Sequence, residues 1–132
     1  MKQNVFDTLE SRGFIKQTVF KDDLYALLGS QSVTFYCGFD PTADSLHIGH
    51  FIPLMAASIM QKAGHKPILL VGGGTAMVGD PSNRNDMRQM MTMETIAENV
   101  AKIKSQLARF VSFEGENAAQ IVNNADWLCK LN

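Results

Sequence analysis

The chain has 132 residues, 45% of them apolar and 19% charged, with 12 basic side chains against 13 acidic ones. Such values fit a single folded domain and exclude both a disordered chain and a generally basic nucleic-acid binder. Two cysteines, Cys37 and Cys129, are too few for a disulfide framework and fit a reducing compartment. The N-terminal MKQNVFDTLE lacks the apolar core of a signal peptide. The longest apolar stretch, 51–60, is interrupted by Pro53 and Ser58 and is about half the length of a membrane span. The expectation is therefore a cytoplasmic protein with no membrane segment.

The first element is a helix over about 4–12. Asn4 is its N-cap, Val5, Phe6 and Leu9 form its apolar stripe, and Gly13 stops it. A second helix over about 22–28 is closed by Gly29. These N-terminal helices occupy about 4–29, and a nucleotide-binding half follows over about 33–132. Its first strand is 33–39, where Val33, Phe35, Cys37 and Phe39 are the apolar odd positions of an alternating run. The turn-type loop 40–45 leads into a helix that begins at Ser45 or His47 and ends at Ala63, before Gly64. Pro53 inside it has no N–H for the Gly49 carbonyl, which predicts a bend or an irregular first turn.

The run 66–71 is a second strand; its unbroken apolar character suits a parallel sheet buried on both faces. Gly72, Gly73, Gly74 and Thr75 follow at once, and 79–88 is a polar loop. Thr92 then caps a long helix. Its residues Ile96, Val100, Ile103 and Leu107, with Phe110, recur at the spacing of one buried face. After the polar loop 114–117, residues 119–122 form a third strand. Strand, helix, strand, helix, strand makes two βαβ units. The predicted fold is α/β: a Rossmann-like parallel sheet with flanking helices, half of a doubly wound fold.

In such sheets ligands bind beyond the carboxyl ends of the strands. Asp40, Thr42, His47 and His50 follow strand one, Thr75 and Asp80 strand two, and Asn123, Asn124 and Asp126 strand three. The most informative group is His47-Ile48-Gly49-His50. Two imidazoles three residues apart share one helix face near an N-terminus, where backbone N–H groups favour anions, and the glycine lets a flat ring approach the backbone. A polyphosphate with its base or ribose on Gly49 fits this pattern. Two surface histidines, or a metal pair with no third ligand at convincing spacing, are the alternatives. The run Gly72–Gly74 lacks both dinucleotide and P-loop spacing and equally suits close packing at a strand end. Arg84 and Arg88 would hold a phosphate by forked hydrogen bonds or simply line a solvated loop. Cys37 reads as a small side chain in a strand, His65 as a capping residue past Gly64.

The string from Tyr36 to His50, Y-C-G-F-D-P-T-A-D-S-L-H-I-G-H, closely resembles the signature of bacterial tyrosyl-tRNA synthetases, class I enzymes with an H-I-G-H motif. The resemblance continues through 63–67, 71–73, 79–82 and 122–127, and covers nearly the whole chain from Phe6 to Leu128. It implies activation of tyrosine with ATP to tyrosyl-adenylate, magnesium accompanying the triphosphate, and then transfer to tRNA(Tyr). By that resemblance Tyr36 meets the substrate phenol, and Cys37 and His50 the ATP ribose. Gly49 lies against adenine, and Gly38 and Asp40 line the adenylate. Thr42 and His47 hold the γ-phosphate side, Asp80 pairs with the α-ammonium, and Thr75 and Asn124 line the tyrosine pocket. Arg84 and Arg88 grip the leaving pyrophosphate.

The sequence also departs from the family. It has no K-M-S-K-S-type stretch and no Tyr-x-x-x-Gln-x-x-Asp helix, and Ala76 and Asn83 stand where glycine is frequent. The expectation is the N-terminal third of a synthetase, inactive alone, whose longer relatives are homodimers. A non-catalytic synthetase-like binding module and a smaller H-x-G-H nucleotidyltransferase are the competing readings.

Overall fold

A computed structural model of the chain describes residues 3–39, 48–72 and 93–128. Helix α1 is Val5–Ser11, and the Asn4 side chain accepts a 3.0 Å hydrogen bond from the Phe6 N–H at its start. At its end Gly13 takes φ 75°, the Gly13 N–H donates to Glu10 and the Phe14 N–H to Leu9. That paired closure satisfies two last-turn carbonyls and puts glycine where an L side chain would be strained. Helix α2 is Lys21–Ser30 and opens without a side-chain cap, with Asp22 and Asp23 in its first turn, where negative charge complements the helix dipole. It runs through Gly29 rather than ending there. A Cβ on Gly29 would lie 2.8 Å from Asn4 Nδ2, so this glycine admits a neighbouring side chain instead of terminating a helix. That same Nδ2 donates to the Tyr25 carbonyl at 2.8 Å, and Tyr25 donates its phenol to Asp7 at 3.0 Å.

Strands β1 (Thr34–Phe39), β2 (Lys66–Val71) and β3 (Gln120–Asn123) form a parallel sheet in the order β1-β2-β3. The register pairs Phe39 with Val71 and Val71 with Asn123. Helix α3 (Ile48–Lys62) joins β1 to β2, and α4 (Met93–Leu107) lies between β2 and β3. Helix α3 is continuous through Pro53. It closes as α1 does, with Gly64 at φ 102°, its N–H on Gln61 and the His65 N–H on Met60.

Two right-handed crossovers that advance in one direction put both helices on the same face of the sheet. The core shows it: Leu54 and Ala57 of α3 meet Ile103 and Leu107 of α4 over Phe39 and Leu69, with Phe35, Cys37 and Ile121 packed alongside. Burial along β2 therefore alternates between buried and half-buried, and the expectation of a strand buried on both faces holds fully on one face only. A second cluster, Val5, Phe6, Leu9 and Leu28, seats α1 and α2 against Ala56, Ile59 and Met60 on α3 and Ala63 just past its end. Strand β3 begins and ends one residue later than the sequence pattern suggests. The short helix α5 (Ala125–Leu128) follows it directly. Thr92, expected to cap α4, lies outside the described residues. Among the described residues no helix is long and apolar enough to cross a membrane.

Candidate active site at the carboxyl edge of the sheet

The three strands end level with one another. The Phe39 carbonyl accepts from the Gly72 N–H at 2.8 Å, and the Val71 carbonyl accepts from the Asn124 N–H at 2.9 Å. Strands β1 and β2 thus each hand a backbone bond to the first residue beyond their neighbour, and the three strands end at one edge. In-step termination is what a ligand lying across several strands requires.

Of the residues to which the resemblance gives a role, six are described: Tyr36, Cys37 and Gly38 on β1, Gly49 and His50 on α3, and Asn124 after β3. Asp40, Thr42, His47, Thr75, Asp80, Arg84 and Arg88 lie outside the described residues. His50, in the first turn of α3, is half-buried, and its ring meets that of Phe39, the last residue of β1, edge to face with centroids 5.7 Å apart. That contact aims an imidazole at the carboxyl edge and holds it there. Gly49 beside it is exposed on the same turn. A helix N-terminus carrying a fixed imidazole and a bare backbone face can receive an anion next to a flat ring.

Alternation along β1 separates the other candidates. Cys37 points toward α3 and α4 with Phe35 and Phe39, and burial pushes its thiol above its ordinary pKa. The protonated form is thereby favoured, which suits a small contact residue and not a nucleophile. Tyr36 and Gly38 point to the opposite face, where Tyr36 is 73% exposed. The alternation of β2 puts half-buried Ile68 and Leu70 on that same face. Neither apolar residue stood out in the sequence, although the alternation of the run places both on this face. Asn124 is buried and engaged through its backbone at the end of β3. His65 does not act as a simple helix cap: it is 3% exposed, and its Nδ1 accepts from the Val33 N–H at 3.1 Å. It belongs to the opposite edge of the sheet.

Comparison with known proteins shows the family of the chain. The family model described as tRNA synthetases class I (W and Y) matches residues 29–132. The chain belongs to that family. Among curated relatives, the tyrosine–tRNA ligase of Clostridium tetani is 56% identical over 132 residues, covering all of this chain and 32% of the relative. That of Clostridium perfringens is 59% identical over 129 residues, covering 98% of this chain and 32% of the relative. The chain therefore spans about a third of the length of these relatives. Among solved structures, a C-terminally truncated mitochondrial tyrosyl-tRNA synthetase of Coccidioides posadasii superposes with a TM-score of 0.78 at 36% identity, over 99% of this chain and 38% of the other. The Archaeoglobus fulgidus tyrosyl-tRNA synthetase complexed with L-tyrosine shares the fold, with a TM-score of 0.66 at 18% identity over 95% of this chain and 36% of the other. The three parallel strands with flanking helices are thus the class I synthetase architecture.

Proposed function

We propose that this chain is the ATP-binding portion of a tyrosine–tRNA ligase. The observation that carries the reading is His50, held edge-on to Phe39 at the end of β1 beside the exposed Gly49. The ATP ribose lies against His50 and Cys37, and adenine against Gly49. The tyrosine side chain occupies the other face of β1, with its phenol at Tyr36 and its ring over Ile68 and Leu70. The adenylate therefore straddles the edge of β1, its α-phosphorus near Gly38 and Asp40. Asp80 pairs with the α-ammonium, and Thr75 and Asn124 complete the tyrosine side. Thr42 and His47 stabilise the charge that develops on the triphosphate, and Arg84 and Arg88 hold the departing pyrophosphate.

The tyrosine carboxylate attacks the α-phosphorus in line, forming a P–O bond as the bond to pyrophosphate breaks; a hydroxyl of the terminal ribose of tRNA(Tyr) then takes the tyrosyl group as an ester, and the acyl–phosphate bond breaks to release AMP. Such a reaction asks the protein for positioning and charge stabilisation and for no covalent intermediate. Magnesium enters with the triphosphate as part of the substrate. The whole reaction, the cytoplasmic setting and a homodimeric state are proposed for a protein of the relatives' length. Support for the reading comes from the carboxyl-edge geometry together with the extent of similarity to tyrosine–tRNA ligases.

The test is an NMR titration of this chain with magnesium-ATP. The His50 imidazole signals are expected to shift, while those of His65, at the far edge, stay in place. A His50 that is silent at millimolar ATP, or a His65 that moves instead, would overturn the assignment.

A further inference from the structure

Parallel strands have no hairpin turn to set their register; each returns through a long crossover. Here β2 and β3 are separated by residues 72–119, and β3 offers only four residues to its neighbour. A two-residue slip of β3 would keep every side chain on its face and yet move Asn124 by about 6–7 Å. Something other than alternation must hold the strand in step.

The amino-end edge of the sheet supplies it. Asn117, three residues before β3, donates from Nδ2 to the carbonyls of Gln61 at 2.8 Å and His65 at 3.0 Å. His65 is the residue immediately before β2. Gln61, at the end of α3, reaches back: its Nε2 donates to the carbonyls of Ser112 at 2.7 Å and Asn117 at 3.1 Å, and its Oε1 accepts from the Ser112 N–H at 2.8 Å. The loop is closed on itself by Ala119 N–H donating to Ser112 at 2.8 Å. On the other side of His65, its Nδ1 takes the Val33 N–H, Lys66 N–H donates to Val33 at 2.9 Å, and Ser32 Oγ donates to Gly64 at 2.6 Å. The lead-in residues of all three strands are therefore bonded at or next to His65.

We propose that Gln61 and Asn117 are positioning residues for the ligand edge: by fixing the start of β3 against the start of β2, they set where Asn124 stands. The two ends are about 20 Å apart along the strand. The inference rests on reading the carboxyl edge as the ligand site, but its test needs no ligand.

Trp127, the single tryptophan, lies just past Asn124, with its backbone N–H on the Asn124 carbonyl and the residue 44% exposed. It reports the position of that edge. Acrylamide quenching of Trp127 is measured in this chain well below its melting temperature for Asn117→Ala and, as a control, for Asn4→Ala. The control removes a helix cap in the other hydrophobic cluster. Asn117→Ala is expected to raise the quenching constant about 1.5-fold, short of the roughly 2.3-fold that full exposure of a 44% exposed residue would allow. Asn4→Ala is expected to lower the melting temperature and leave quenching unchanged. If Asn117→Ala lowers stability with quenching at the wild-type value, the amides are ordinary structural contacts and the proposal is wrong. Should Asn117→Ala not fold, Gln61→Met, of similar volume, is read for the same two outcomes. The His50 titration with ATP stands or falls separately from this result.

Discussion

Replacing Gly29 by alanine sets two effects of similar size against each other, and the geometry decides the sign. In a helix, Gly→Ala ordinarily stabilises by about 0.5–1 kcal/mol, and less near an end, where Gly29 stands. The new Cβ, however, would sit 2.8 Å from Asn4 Nδ2, well inside ordinary carbon–nitrogen contact. Asn4 has little room to retreat, because Oδ1 caps α1 through Phe6 and Nδ2 holds the Tyr25 carbonyl. Displacing it forfeits a cap of about 1 kcal/mol and a hydrogen bond of about 1 kcal/mol. The expected net change is a destabilisation of about 1 kcal/mol. In an Asn4→Ala background the obstacle is gone, and Gly29→Ala should stabilise by up to about 0.5–1 kcal/mol. The two positions should therefore couple by roughly 1.5–2 kcal/mol in a double-mutant cycle. Urea unfolding measures all four proteins, with the midpoint moving at constant slope. A Gly29→Ala chain more stable than wild type in both backgrounds would show that Asn4 yields freely and that the α1–α2 junction is not set by this contact.

Burial disfavours the Cys37 thiolate, so alkylation by iodoacetamide at pH 8 should be slower in the native chain than in urea, measured by mass spectrometry with Cys129→Ser removing the other thiol. The linked stability runs the same way: with the folded pKa raised above its ordinary value of 9.0, the contribution of Cys37 is complete below that value and declines as pH rises past it, and the Cys129→Ser chain should lose stability there faster than a Cys37→Ala, Cys129→Ser chain. In a ligase of the relatives' length, Tyr36→Phe should cut the preference for tyrosine over phenylalanine in kcat/KM by about 5- to 150-fold, the equivalent of ~1–3 kcal/mol for an unsatisfied buried polar group, with ATP affinity unchanged. Asp80→Ala should instead weaken both amino acids together. Equal losses for both amino acids with Tyr36→Phe would make Tyr36 a plain strand residue.

The sheet was legible because its signals are local. Alternation from Val33 to Phe39, the apolar run at 66–71, and glycines taking positive φ at 13 and 64 each settle an element from a handful of neighbours. Gly29 misled because a glycine at a helix end and a glycine that admits a distant side chain look alike until Asn4 is seen beside it. The coverage of β2 was misjudged because an apolar run does not record on which side the crossover helices fall; only the strand order does that. The pairing of Gln61 with Ser112 and Asn117 had no local signature at all. The placement of His50 and Gly49 in the first turn of α3, beside the end of β1, was legible from motif spacing, whereas the separation of Cys37 from Tyr36 onto opposite faces followed from strand geometry and became useful only once the helices were placed.

With both crossover helices on one side, the Tyr36 side chain stands in water, and this changes what its hydroxyl can discriminate. A phenol surrounded by solvent that loses its partner simply recruits a water molecule, so the missing hydrogen bond of phenylalanine goes almost unpunished. Selectivity of the large kind arises only when the abandoned group is left dry. For these residues by themselves, tyrosine and phenylalanine should therefore be nearly indistinguishable, however well Tyr36 is aimed. On the proposed reading, recognition of the substrate hydroxyl requires solvent to be excluded from this face of β1, and Tyr36 would contribute to specificity in proportion to how completely the face is covered.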